Sequence, residues 1–248
     1  MIRTILCIPL AIILLLISIP VLIVEKIIAK FNRRVSDIST TRFVQKALSL
    51  FLYAAGVRLT VIGKENIPRD QAVLYVGNHQ SMIDPLVAYT VLPGPTGIIS
   101  KMEVAKIPLV AAWMRQLHCL FLDRSDLRQG MKTILAAIDQ VKDGISILIY
   151  PEGTRNKNED ETELLEFHEG SYKIAIRSGC PIVPIAISGT AKVVENQFPK
   201  LRKGQVILEF GKPIDPKALS RDEQKCLGVY SRGLIGRMLL EQKGIPVD

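Results

Sequence analysis

Hydrophobic and polar positions divide this chain into two textures. Thr4 to Val24 is a run of 21 residues without a charge, long enough to cross a hydrocarbon core as a helix. Pro9 and Pro20 interrupt it, so a bent or re-entrant helix stands beside a straight span. No small-residue cleavage site follows, which argues against a removable secretion signal. Lys26, Lys30, Arg33 and Arg34 come next and favour the cytoplasmic side of a membrane. In Thr41–Ala55, Phe43, Ala47, Leu50, Phe51 and Ala54 recur at spacings of three and four, opposite Arg42, Gln45 and Lys46. This period predicts a second helix. It fits a core helix of the main domain and an interfacial helix lying on the membrane with the first equally well.

From Val57 the period changes. Short apolar runs predict strands at Arg58–Ile62, Ala72–Val76, Gly97–Ile99, Leu120–Leu122, Ile145–Ile149, Ile182–Ile187 and Val206–Phe210. Between them, helical periods span Pro85–Leu92, Ile107–Gln116, Leu127–Lys142, Gly170–Ser178 and Arg221–Glu241. This alternation predicts an α/β domain: a largely parallel central sheet flanked by helices, with room for an antiparallel edge. The chain thus divides into membrane-associated helices over residues 1–56, a two-helix anchor, and an α/β domain over residues 57–248.

Charge narrows the partners. The 248 residues carry a formal net charge of +8, which suits phosphorylated substrates, anionic lipid or nucleic acid. Aromatics are 6% of the chain and do not interleave with basic residues, so nucleic acid is not expected. The four cysteines, Cys7, Cys119, Cys180 and Cys226, are scattered without a C-x-x-C pair. That pattern suits neither a disulfide framework nor a zinc site and fits a reducing compartment.

The chemistry gathers at Asn78-His79-Gln80-Ser81-Met82-Ile83-Asp84, between a buried strand and Pro85, which suits a first helical turn. In α/β sheets such corners lie at the carboxyl ends of strands, where reactive side chains collect. A turn can fold the Asp84 carboxylate back onto the His79 imidazole. The carboxylate would fix one ring nitrogen and leave the other free as a general base. An N-capping aspartate beside an ordinary half-buried histidine has the same sequence. Ser81 lies close by but lacks a G-x-S-x-G elbow, which argues against a serine hydrolase.

Three further stretches share the strand-end pattern. Leu120-Phe121-Leu122-Asp123-Arg124 ends on a guanidinium suited to phosphate, or to pairing with Asp123 or Asp126. Pro151-Glu152-Gly153-Thr154-Arg155 follows a buried strand. Gly153 there permits a tight turn, and the backbone beside it an anion nest countered by Arg155. Pro181 and Pro184 flank the entry to a strand and suit a rigid wall. His168 reads as a surface residue at a helix entrance.

Asn78-His79-x4-Asp84, Phe121-x-Asp123-Arg124, Glu152-Gly153-Thr154-Arg155 and Pro181-x-x-Pro184 occur in the order and rough spacing of four motifs of the glycerolipid acyltransferases. Across about residues 57 to 215 the chain most closely resembles bacterial PlsC-type 1-acylglycerol-3-phosphate acyltransferases. Four motifs in order are a specific signal, where any one would be weak. One position departs: His118 stands where the second motif usually opens with glycine.

The resemblance implies transfer of a fatty acyl group from acyl-CoA or acyl-ACP to the sn-2 hydroxyl of lysophosphatidic acid, giving phosphatidic acid. His79 would be the base and Asp84 its orienter. Arg124 and Arg155 would clamp the phosphate. Glu152, Gly153 and Thr154 would line the acceptor pocket, and Pro181 and Pro184 would shape the site. Lys101 is a further phosphate candidate. Backbone N–H groups near the corner or the Gly153 turn are candidate donors to the tetrahedral oxyanion. No cofactor or metal is expected, and the expected partners are the two substrates and membrane lipid. The expected location is the cytoplasmic face of the inner membrane. The stretch Ile107–Met114 suits core packing or an acyl tunnel. Another glycerolipid acceptor, or a lipid-binding protein without catalysis, are the competing functions.

Overall fold

The computed structural model describes residues 2–197 and 199–246. Helix α1 (Ile2–Phe31) runs unbroken past Pro9 and Pro20. At Asn32 the chain turns back. The Asn32 side chain accepts from the Val35 N–H and caps α2 (Arg33–Ala55). A left-handed Gly56, at φ 88°, closes that helix; a Cβ there would run into the Arg3 guanidinium at the far end of the hairpin.

Helix α2 begins eight residues before the predicted start, because its first turns are polar and show no apolar period. Ser36, Asp37, Thr40 and Thr41 are nonetheless buried. The expected stripe is also rotated. Leu50 is exposed, whereas Val44, Leu48 and Leu52 pack on the α/β domain. Helix α1 keeps a bare apolar face that includes Ile5, Leu6, Leu16, Ile17 and Ile27, each more than half exposed.

Seven strands form one sheet: β1 (Val57–Ile62), β2 (Leu74–Gly77), β3 (Thr96–Lys101), β4 (Leu120–Leu122), β5 (Ser146–Ile149), β6 (Ile182–Ser188) and β7 (Gly204–Phe210). Their order is β1-β7-β6-β2-β5-β3-β4. Every pairing is parallel except β6 with β7, so the antiparallel element is the edge pair β1–β7. The central strands β2, β5 and β6 are buried along their whole length. They can be apolar throughout because both sheet faces are covered.

Helices α3 (Asp84–Tyr89), α4 (Pro108–Gln116), α5 (Leu127–Lys142), α6 (Lys173–Ser178), α7 (Thr190–Val193), α8 (Arg221–Lys225) and α9 (Leu227–Gln242) complete the fold. Two predicted helices are divided. The predicted Gly170–Ser178 helix opens as a 3-10 turn, Glu169–Tyr172, and the last breaks at Cys226. One core packs Ile147, Ile149, Ile174, Leu227 and Ile235. A second packs Tyr75, Val87, Leu148, Val206 and Phe210, and a small third gathers Tyr89, Leu117 and Cys119.

Helix α4 joins the hairpin to the sheet. Trp113 stacks on Phe43 with ring centroids 5.3 Å apart and donates its indole N–H to Ser18 at 2.7 Å. Gln116 donates to the Ser36 hydroxyl at 2.9 Å. Trp113, within the Ile107–Met114 stretch, thus serves as a packing joint between the hairpin and the domain.

Candidate active site

The carboxyl ends of β2, β5 and β6 meet at one point in the sheet. Strand β2 ends at Gly77, and Asn78 extends the ladder with its side chain. Its amide donates to the Ile187 carbonyl and accepts from the Ile187 N–H, both at 2.8 Å. The chain then turns sharply into α3. His79 Nδ1 lies 2.9 Å from Asp84 Oδ2. The same oxygen accepts from the Gln80 and Ser81 N–H groups, each at 2.7 Å. Asp84 Oδ1 accepts the Thr190 hydroxyl at 2.5 Å. Asp84 is only 1% exposed, so these donors replace its lost hydration. With Nδ1 committed to the carboxylate, Nε2 is the imidazole nitrogen available for chemistry.

Tyr150, at the end of β5, stacks on the His79 ring with centroids 4.5 Å apart and planes 24° apart. A Cβ on Gly77 would stand 3.2 Å from the Tyr150 ring, so glycine leaves room for this stack. Burial raises the Tyr150 phenol well above its ordinary pKa, and the Asp84 charge adds to the rise.

The Glu152–Arg155 turn meets the corner differently from the expectation. Glu152 is buried. Its carboxylate accepts from the His79 N–H at 2.7 Å and the Leu165 N–H at 3.1 Å. Burial pushes this carboxyl above its usual range, against the pull of those two donors. Gly153 adopts φ 71° and donates its N–H to the Tyr150 carbonyl, so that donor is not free for an anion. A Cβ there would stand 3.2 Å from the exposed His168 ring. Thr154 and Arg155 are exposed. Arg155 Nη1 lies 3.2 Å from Glu195 Oε1, and that oxygen accepts the Met82 N–H at 2.6 Å. Every backbone N–H from His79 to Asp84 thus has an acceptor, and Met82 alone gives its proton to a side chain beyond the corner and β5 turn.

Lys101 and Arg124 are exposed at the carboxyl ends of β3 and β4, on the same edge of the sheet. Strands β5 and β3 separate β4 from β2, and Arg155 is turned to Glu195. Arg155 follows β5 and Arg124 follows β4, with β3 between them; the two share no anionic partner among the described residues. Among the described residues Arg124 forms no ion pair with Asp123 or Asp126 either.

Pro181 and Pro184 stand at different depths: Pro181 lies at the amino end of the sheet, and Pro184 lies one residue short of the level at which β2 ends. Pro181 accepts from the Leu74 N–H at the amino end of β2. It precedes Ser188 by seven residues, about 23 Å of strand. Pro184 faces Val76 within the sheet, and its carbonyl accepts from Gly211. Its missing N–H points to the β7 side just before that ladder begins at Ile185, where proline costs no ladder bond.

His118 is also explained. At φ 60° it is the only non-glycine residue with positive φ among the described residues, a conformation glycine adopts without strain. Its Nε2 lies 2.8 Å from Asp37 Oδ1 and 3.0 Å from Arg33 Nη2 on α2. It faces the hairpin and is no second base at the corner.

Sequence reasoning missed Thr190, Tyr150 and Glu195. Gly189-Thr190 directly after β6 marked a strand end, where reactive side chains collect, but its place beside β2 is set by the strand order.

The acyltransferase family model matches residues 58–188. A probable 1-acyl-sn-glycerol-3-phosphate acyltransferase of Mycoplasma pneumoniae is 33% identical over 185 residues, covering 70% of this chain and 68% of that protein. A 1-acyl-sn-glycerol-3-phosphate acyltransferase of Borreliella burgdorferi is 32% identical over 147 residues, 59% of this chain and 58% of its own length. The crystal structure of the 1-acyl-sn-glycerophosphate acyltransferase PlsC from Thermotoga maritima superposes with a TM-score of 0.75 at 26% identity. It covers 99% of this chain and all of that one. Fold, corner geometry and matched residues agree, and the chain belongs to the acyltransferase family.

Proposed function

We propose that this protein transfers a fatty acyl group from acyl-CoA or acyl-ACP to the sn-2 hydroxyl of lysophosphatidic acid, forming phosphatidic acid for phospholipid synthesis. The observation that carries the chemistry is the His79–Asp84 bond of 2.9 Å, with Asp84 held by three further donors. An alcohol attacks a thioester poorly until a base takes its proton. His79 Nε2 removes the hydroxyl proton as the oxygen bonds to the thioester carbon. The tetrahedral oxyanion collapses, the carbon–sulfur bond breaks, and the imidazolium returns the proton to the departing thiolate. Asp84 stabilises the imidazolium, while Tyr150 and Glu152 hold the ring and the backbone beneath it. Arg155 binds the acceptor phosphate, and Lys101 and Arg124 form a cationic rim on β3 and β4 that draws in the anionic lipid. Thr154 and Gly153 border the acceptor. Base-assisted attack of this kind needs no cofactor beyond the thioester.

The hairpin brings the site to its substrates. The Thr4 hydroxyl oxygen accepts from the Leu201 N–H at 3.0 Å, and Ser18 accepts from Trp113. These contacts hold about 21 Å of α1 along the α/β domain. A perpendicular span would draw the domain into the bilayer with it. Helix α1 therefore lies within one leaflet, its bare apolar face in the acyl chains. Lys26, Lys30, Arg33 and Arg34 favour the cytoplasmic face of the inner membrane.

The test is incubation of the purified full chain in vesicles with lysophosphatidic acid and a labelled acyl thioester, on coenzyme A in one arm and acyl carrier protein in the other. Labelled phosphatidic acid is expected. No product from either donor, or product only from another acceptor, overturns the assignment.

A further inference from the structure

We propose that Glu195 is a built-in competitor of the acceptor phosphate, an internal carboxylate that occupies the phosphate position and leaves when substrate arrives. This rests on the reading above that Arg155 receives the phosphate. Glu195 opens the 3-10 turn Glu195–Gln197 just after α7. Its Oε1 takes both donors that converge beside the corner, the Met82 N–H at 2.6 Å and Arg155 Nη1 at 3.2 Å. A backbone N–H and a guanidinium aimed at one anionic oxygen are the donor set a phosphate oxygen would use. The other carboxylate oxygen, Oε2, is buried and has no hydrogen-bond partner among the described residues. A buried unpaired carboxylate oxygen is costly, so the closed arrangement is easy to give up.

Like charge makes the two occupants mutually exclusive. A phosphate dianion and the Glu195 carboxylate cannot share one guanidinium at contact distance without strong repulsion. One must leave, and Glu195 sits on a short turn whose side chain is partly exposed. The same segment begins with Thr190, bonded to Asp84. The stretch that guards the phosphate position is thus continuous with the stretch that holds the catalytic carboxylate.

A competitor of this kind weakens apparent affinity by the fraction of molecules it leaves open. If the closed form holds nine-tenths of the protein, removing it tightens binding about tenfold. The probe is glycerol 3-phosphate, titrated calorimetrically into the full-length protein without acyl donor, so that no turnover is required. Glu195→Gln and Glu195→Ser should both bind it more tightly than wild type, and the gain should vanish in an Arg155→Ala background. The KM for lysophosphatidic acid should fall in parallel. Unchanged or weaker binding in both Glu195 variants, or no detectable binding in any form, overturns the proposal. A gain that survives Arg155→Ala also overturns it, because that would be diffuse repulsion. Tighter glycerol 3-phosphate binding without phosphatidic acid formation would uphold the competitor and sink the acceptor assignment; the converse result would do the opposite.

Discussion

Thr190 and Asp84, 106 residues apart in the chain, meet through a hydroxyl-to-carboxylate hydrogen bond of 2.5 Å at the buried base of the corner. It is the only side-chain donor to Asp84 Oδ1 among the described residues, while Oδ2 serves His79 and two backbone N–H groups. Thr190 is fully buried. Gly189, at φ 83°, packs against the Gln205 carbonyl and delivers Thr190 from the end of β6 to this position.

Thr190→Val leaves Asp84 Oδ1 buried without its donor. A hydrogen bond to a charged group contributes about 1.5–3 kcal/mol, which corresponds to a loss on the order of 10- to 100-fold. The loss should fall on kcat, with the acceptor KM held. Thr190→Ser should restore most of it. Steady-state kinetics of the three forms would check this, and a serine variant no better than valine would count against a positioning role.

His79→Ala should lower kcat by roughly 10²–10⁴-fold, the usual contribution of a general base. Asp84→Asn should do comparable damage, since an amide no longer fixes the tautomer or stabilises the imidazolium. Membrane association should be unaffected in both. Turnover near wild type in either variant would remove the pair from the mechanism.

Arg155→Ala should raise the KM for lysophosphatidic acid more than Arg124→Ala does, because Arg155 stands beside the corner and Arg124 on the far edge strand. Losing a buried charged partner costs about 2–5 kcal/mol; the partial exposure of Arg155 puts its loss at the lower end. Lysine should rescue only in part, since it lacks the planar fork. On a monoacylglycerol, which has no phosphate, the Arg155 effect should disappear. Equal losses on both acceptors would show a structural or donor-binding role.

Glu152 links stability to pH. Burial raises its folded-state pKa above the ordinary value of 4.5. The stability it contributes is therefore complete below the unfolded value and is lost as pH rises through the raised folded value. In denaturant melts between about pH 4 and 7, wild type should lose stability relative to Glu152→Gln as pH rises. A difference that stays flat, or grows the other way, would refute the buried-acid account. The variant should also lose activity, because glutamine cannot accept from both the His79 and Leu165 N–H groups with the strength of a carboxylate.

The hairpin should keep the protein in membranes through high-salt washing, because burial of the α1 face does not depend on ionic attraction. Cysteines introduced at Arg3 and Lys30 should react with an impermeant thiol reagent from the same side of sealed vesicles. Labelling from opposite sides would establish a span.

The sequence alone determined the seven strands, their alternation with helices and the residues of the corner. These are local properties: short apolar runs, helical periods, and a histidine and aspartate five positions apart at a strand end. Strand ends also had to share one edge of a parallel sheet, which places Lys101, Arg124 and Arg155 on that edge. What tertiary structure decided was which strands are neighbours. The order β6-β2-β5 brings Thr190, His79 and Tyr150 together, and no spacing in the chain encodes it. The same order leaves Arg124 on an outer strand. The polar start of α2 was illegible for a related reason. Ser36 and Asp37 are buried by partners on α4 and by His118, and polar residues satisfied across 80 positions leave no periodic trace. The glycine position filled by His118 was visible as a departure. Its left-handed backbone, and the hold on Asp37 that the imidazole gains there, depend on the packing of the hairpin on the domain.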